Sequence, residues 1–206
     1  MSNIGIVNCG ISNIRSVMNA LDALGLSYKS IATSKDLDGC SHIILPGDGS
    51  FNAGMEGLKK AGLTKALKRT ASEGKYILGI CLGMQLLATE GHEFGLHEGL
   101  GIIPGRVVPL NPDNPSLPVP QVGWNQVTFS AHSRILKDLG GSATYYFMHS
   151  YVYQDSIADY VVGTFDYSGR EVAIVEQGNV FGVQFHPEKS HNAGLELLRK
   201  FAELRY

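Results

Sequence analysis

Tryptophan occurs once in this chain of 206 residues, and cysteine only three times. Cys9, Cys40 and Cys81 are odd in number, widely spaced and form no C-x-x-C pair, which argues against a disulfide framework and a zinc knuckle. A reducing, cytoplasmic setting is therefore the expectation. The seven histidines form no H-x-H or H-x-x-x-H pair, so no metal site is expected. Surplus charge is also missing: 17 basic against 19 acidic residues leave a net charge of −2 and no electrostatic footprint for nucleic acid. No apolar run approaches the ~20 residues that a membrane span requires. The opening "MSNIGIVNCG" lacks the basic and apolar regions of a secretory signal, so none is expected.

What is present suits one globular α/β domain spanning 1–206. The first half alternates strand and helix signals. "NIGIVN", "SYKSIA", "SHIILPG" and "KYILGIC" read as strands. Ile14, Val17, Met18, Leu21 and Leu24 recur at helical spacing, with Ser12 or Asn13 as cap and Gly25 as stop. "GLTKALKRTASEG" and "LGMQLLATE" are the next helices. This rhythm predicts a mostly parallel open sheet with helices on both faces. Beyond residue 99 a stretch with six of the eight prolines precedes a β-rich half. "WNQVTF", "ATYYFMHSYVY", "DYVVGTFDY", "REVAIVEQG" and "NVFGVQFHPE" predict antiparallel or mixed pairing there. "SHNAGLELLRKFAELRY" closes the chain as a helix, with Leu195, Leu198, Phe201 and Ala202 inward.

The segment "GICLGMQ" puts Cys81 between a buried strand and a helix. A helix N-terminus favours a thiolate, and Gly79 and Gly83 permit a strained turn with close strand–helix approach. The N–H of Leu82 would then be open to an oxyanion. From this pattern alone a structural thiol and a nucleophile are equally good readings. Three other features favour the nucleophile. "VQFHPEKS" places His186 and Glu188 two apart, on one side of an extended chain, around a stiffening Pro187. A histidine can serve a cysteine as base, and a carboxylate can orient that histidine. "LPGDGS" is a Gly-rich turn able to present N–H groups to an anion. All three segments fall at strand ends, where ligands of parallel sheets gather.

"LPGDGSF", "GICLGMQLL", "YYFMHSYV" and "GVQFHPEKS", in that order, resemble the class I (triad) glutamine amidotransferases over nearly the whole chain. The resemblance implies Cys81 as nucleophile, His186 as base and Glu188 as its orienter, with no metal or cofactor. It implies an oxyanion site from the backbone of Leu82 and of Gly47 or Asp48. It implies that Gln85 and Glu93 bind the α-amino and α-carboxylate ends of glutamine, while His149, Ser150 and Tyr151 line the same pocket. Taken without the family, Gln85 is a polar helix residue, Glu93 a solvated acid and His149 a structural histidine. Within the class, "SNIRSV", "VGWNQV" and "YFMHSY" look like the glutaminase subunits of imidazole glycerol phosphate synthases. Such subunits pass ammonia to a (β/α)8-barrel cyclase in histidine biosynthesis.

That likeness implies a heterodimer with a partner face around Asn13, Arg15 and Trp124. Trp124 is either a core aromatic or an exposed anchor, and tryptophan is enriched among interface hot spots. Two positions depart from the family pattern: Asp48, where a small apolar residue is usual, and Gln121, where histidine is usual. They keep open a paralogue that supplies ammonia for sugar amidation in surface-polysaccharide synthesis. An inactive binding module is disfavoured by the intact Cys81, His186 and Glu188. A stress-type thiol hydrolase is disfavoured because Leu82, not histidine, follows the cysteine.

Overall fold

Alternation of buried side chains explains how the sheet takes helices on both faces. The computed structural model describes residues 3–10, 14–130, 132–154, 158–167 and 169–205. Its first half contains β1 (Ile4–Val7), α1 (Arg15–Ala23), β2 (Tyr28–Ile31), β3 (His42–Gly47), α2 (Phe51–Lys60), α3 (Leu63–Ser72), β4 (Tyr76–Cys81) and α4 (Leu82–Leu86). Next come β5 (Glu90–Gly91), β6 (His97–Glu98), β7 (Arg106–Pro109), β8 (Gln121–Phe129), β9 (Ser142–His149) and β10 (Tyr151–Tyr153). β11 (Val161–Asp166), β12 (Arg170–Gln177), β13 (Val180–Val183) and α5 (His191–Glu203) complete the order.

Every residue of β1, β3, β4 and β13 is buried, as expected of strands covered on both faces. On β4, Tyr76, Leu78 and Ile80 join a core with Val17 and Leu21 of α1 and Leu198 and Phe201 of α5. Ile77 points the other way, to Leu58 of α2 and Leu63 and Leu67 of α3. The large sheet runs β2-β1-β3-β4-β13-β12-β11-β8-β9, and a small one runs β10-β7-β5-β6. Pairings from β2 to β13 are parallel and those beyond are antiparallel, so the large sheet is mixed.

Several local expectations need correction. The stretch "YYFMHSYVY" is not one strand. It breaks at Ser150, whose carbonyl accepts from Leu110 N at 2.8 Å, and β9 and β10 enter different sheets. The helix after Cys81 ends at Leu86, because Leu87 N and Ala88 N bond three residues back, to Met84 and Gln85, and tighten its last turn. α2 was not legible, since Gly54 and Gly57 weaken its helical pattern. Gly54 has a packing reason: a Cβ there would lie 2.9 Å from Leu86 Cδ1. The expected α1 caps, Ser12 and Asn13, lie outside the described residues, and Ile14 occupies the cap position without a side-chain bond. Leu197 joins Leu198, Phe201 and Ala202 in the core, whereas Leu195 is half-buried. Among the described residues no helix is long and apolar enough to cross a membrane.

Candidate active site

β4 runs into α4 with no intervening loop, and Cys81 is the joint. Its φ of 53° and ψ of −112° are a strained backbone state for a residue with a Cβ. The glycines around it are sterically required. A Cβ on Gly83 would sit 1.7 Å from Leu45 O, and one on Gly79 would sit 2.6 Å from Gly83 O. Gly47 is equally constrained, at 2.8 Å from Leu82 Cβ. The pattern G-x-C-x-G is therefore a packing requirement as well as a conformational one.

Register assembles the rest. Gly47 pairs with Cys81 across β3 and β4, and Val183 pairs with Ile80 across β13 and β4. The carboxyl ends of three parallel strands thus lie side by side, bringing the "LPGDG" turn, the thiol and the "QFHPE" segment together.

His186 and Glu188 are not on an extended chain as the spacing suggested. Pro187–Lys189 form a 3₁₀ turn, with Pro187 at its start, and the turn swings Glu188 back to the ring. His186 Nδ1 and Glu188 Oε1 are 2.8 Å apart, and their side chains are 5% and 6% exposed. A carboxylate accepts, so Nδ1 carries the hydrogen. Burial pulls His186 down, but Cys81 and Glu188 together outweigh it and lift the imidazole to about 9. The His186 Nε2 atom is buried with no hydrogen bond of good geometry.

Ser190 clamps this turn and was not singled out from sequence. Its hydroxyl donates to His186 O at 2.6 Å and accepts from Tyr146 N at 2.9 Å, while His186 N donates to Tyr146 O. Gln184 was missed too. It is fully buried, with Nε2 lying 3.8 Å from the Cys81 sulfur. A glutamine inside the apolar run "FGVQF" was the available signal. The thiol itself donates to Met148 O at 3.8 Å.

Cys81, Leu82, His186, Asp48, Gln85, Glu93, His149, Ser150 and Tyr151 all line one pocket of about 410 Å³. Gln85 differs from expectation in one respect. Both its N–H groups are spent, on Tyr151 O and Gln184 Oε1 at 3.0 Å each, so only its carbonyl oxygen is left for a ligand. An acceptor suits an ammonium and not a carboxylate. Glu93 Oε2 accepts from Phe51 N at the start of α2, at 2.6 Å, so this acid also caps a helix. His149 Nδ1 donates to Tyr151 O at 2.9 Å. Burial, more than the nearby His186 charge, holds His149 neutral by pushing it down to about 4. Asp48 is exposed.

The expected partner residues lie elsewhere. Trp124 is 47% exposed and stacks on His191 with ring centroids 5.0 Å apart. Arg15 is exposed at the start of α1, and Asn13 lies outside the described residues. Gln121 is buried and donates to Asn125 Oδ1 at 2.7 Å. Among the described residues no group of three or more His, Cys, Asp or Glu side chains could hold a metal. A thiol and an imidazole raised in basicity in one pocket, with a buried carboxylate held against the ring, can carry out acyl transfer through a thioester.

The sequence matches the family model described as "Glutamine amidotransferase class-I" over residues 5–204. It is similar to the "Imidazole glycerol phosphate synthase subunit HisH" of Listeria monocytogenes serovar 1/2a, with 40% identity over 98% of this chain and 95% of that one. The protein of the same name from Leptospira interrogans is 40% identical over 98% of this chain and all of its own length. Two solved structures share the fold. "Crystal structure of glutamine amidotransferase" and "Structure of PurLQS from Thermotoga maritima" each give a TM-score of 0.75 at 22% identity, over 97% of both chains.

Proposed function

Because the chain belongs to the class I glutamine amidotransferases, we propose that it is the glutaminase subunit of imidazole glycerol phosphate synthase. In that role it hydrolyses glutamine to glutamate and hands the ammonia to a cyclase subunit of (β/α)8-barrel fold, for histidine biosynthesis. The whole chain, 1–206, acts as one amidotransferase domain in the cytoplasm. The observation that carries the chemistry is the buried His186–Glu188 pair, 2.8 Å apart, whose imidazole lines the same pocket as Cys81.

The Cys81 sulfur attacks the glutamine carboxamide carbon, and His186 takes up the thiol proton. The N–H of Leu82, with that of Gly47 or Asp48, faces the developing oxyanion. The C–N bond breaks as the His186 proton passes to the departing nitrogen, leaving a glutamyl thioester on Cys81. Water, deprotonated by His186, then releases glutamate. Glu188 holds the ring orientation throughout and supports its charged form. The Gln85 oxygen and the Glu93 carboxylate receive the α-ammonium of the substrate. Ser150 and Tyr151 present backbone to its other end, and His149 walls the same pocket. Trp124, Arg15 and Asn13 contribute to the docking face.

The test is reconstitution with the cyclase subunit. Product formation from glutamine, together with glutamate release, is the expected result. An assembled complex that makes product only from added ammonium salt overturns the reading.

A further inference from the structure

The tip of the β5–β6 hairpin carries an aromatic side chain where neither water nor the backbone favours one. Phe94 is 89% exposed, more than any other large apolar side chain among the described residues. Its φ of 55° lies in the left-handed region, which glycine and asparagine fill readily and a bulky residue does not. The position is nonetheless fixed by its neighbours. Glu93 Oε2 accepts from Phe51 N at 2.6 Å, His92 N donates to Val107 O at 2.8 Å, and Gly91 pairs with His97 across the hairpin. These bonds set Phe94 at the mouth of the pocket of about 410 Å³ that holds Cys81. Two more apolar side chains stand at the same pocket, Pro120 just before β8 and Met148 on β9. Pro120 is exposed and Met148 is 38% exposed. Elsewhere the walls are polar, with Gln85, Glu93, His149 and His186 among them. Gly95 follows at φ 128°, so the backbone beside the ring turns with little steric resistance. A residue held in a sparsely populated backbone state at a binding pocket points to a role for its side chain there.

We propose that Phe94 covers the glutamine pocket, its ring turning onto the bound substrate to meet the rim formed by Pro120 and Met148. The inference rests on the glutaminase reading and adds a substrate-positioning residue to it. Glutamine is polar at both ends, with two methylenes between. The carboxamide goes to Cys81 and the α-ammonium to Gln85 and Glu93, so the polar walls serve the two ends. Phe94 directly follows Glu93 and is the residue placed to bury the methylenes. That burial is the same in the substrate and in the glutamyl thioester. It therefore strengthens binding uniformly, and its loss appears in KM and not in kcat.

Phe94→Asn tests this, because it removes the ring and suits the left-handed backbone. In the assembled synthase KM for glutamine should rise about tenfold, with kcat little changed. The melting temperature should not fall, and synthesis from added ammonium chloride should stay at the wild-type level. Phe94→Tyr, which keeps the ring, should retain the wild-type KM. A direct reading comes from Phe94→Trp combined with Cys81→Ala, which binds glutamine without turnover. Its emission should move to the blue when glutamine is added, with Cys81→Ala alone correcting for Trp124. An unchanged KM in Phe94→Asn overturns the proposal, as does emission that glutamine does not move. A weaker complex at an unchanged KM also overturns it, by making the ring a partner contact. So does a lower melting temperature with kcat falling alongside, which would make the ring part of the fold. Failure of the glutaminase reading would already be visible in the wild type, as no glutamate released from glutamine.

Discussion

The side-chain amide of Gln184 lies 3.8 Å from the Cys81 sulfur, and its own oxygen is held by Gln85 at 3.0 Å. An N–H donor aimed at the sulfur helps to hold the side chain in place. Gln184→Leu removes that donor and leaves one N–H of buried Gln85 without a partner. The expected cost is about 1–3 kcal/mol of stability. The kcat for glutamine should also fall, by more than KM changes, because Gln184 touches the thiol proposed as the nucleophile. Denaturant unfolding and steady-state kinetics read the two effects. A variant of normal kcat would make Gln184 purely structural.

Cys81→Ala should abolish glutamine hydrolysis while the complex still makes product from ammonium salts, since the thiol serves only the first half-reaction. His186→Asn should be comparably inactive. Glu188→Gln should retain more activity, as it keeps a partner for the ring and removes only the charge. Undiminished glutaminase activity in Cys81→Ala would remove the assignment altogether.

Gly83→Ala tests the packing of the strand–helix joint. Its Cβ would meet Leu45 O at 1.7 Å, and a backbone atom has no rotamer by which to withdraw. Overpacking of this kind costs about 1–3 kcal/mol or more. Melting temperature and glutaminase rate should fall together. A stable, active Gly83→Ala protein would contradict the joint as described.

The histidines predict opposite limbs of a pH–stability profile. His186 is raised to about 9 from 6.5, with burial opposing and Cys81 and Glu188 prevailing. Its contribution is full below the unfolded value near 6.5 and is lost as pH rises through about 9. His149 and His42 are each lowered to about 4, chiefly by burial. Their contribution is present above about 6.5 and is lost as pH falls toward 4, because the unfolded chain then binds more protons. Urea unfolding of wild type should lose stability on both sides, His42→Gln should flatten the acid limb, and His186→Asn should flatten the alkaline one.

Trp124→Ala should leave the fold intact, because the indole is 47% exposed and packs on His191 and the edge of Tyr146. It should weaken the complex by about 2 kcal/mol or more. Isothermal titration with the cyclase subunit measures this. Normal binding with a lowered melting temperature would place Trp124 in the fold alone.

Much of this protein was legible in the chain because local rules carried it. Continuous apolar runs marked β1, β3, β4 and β13, since a strand buried on both faces has no polar side. Glycines on both sides of Cys81 marked a turn that no other residue fits, and the order of the motifs carried the family. Periodicity failed where tertiary packing overruled it. Gly54 and Gly57 hid α2, which persists because Gly54 admits Leu86 and Glu93 caps Phe51, a contact between residues 42 apart. The break at Ser150 depends on Leu110, far away in sequence, and no alternation of side chains encodes it. Glu188 reaches His186 through a 3₁₀ turn held by Ser190 and α5, whereas spacing alone suggested an extended chain. Sequence thus determined which groups are available for the chemistry. Their aim came from strand register and long-range hydrogen bonds, which depend on contacts between segments that are not neighbours in the chain.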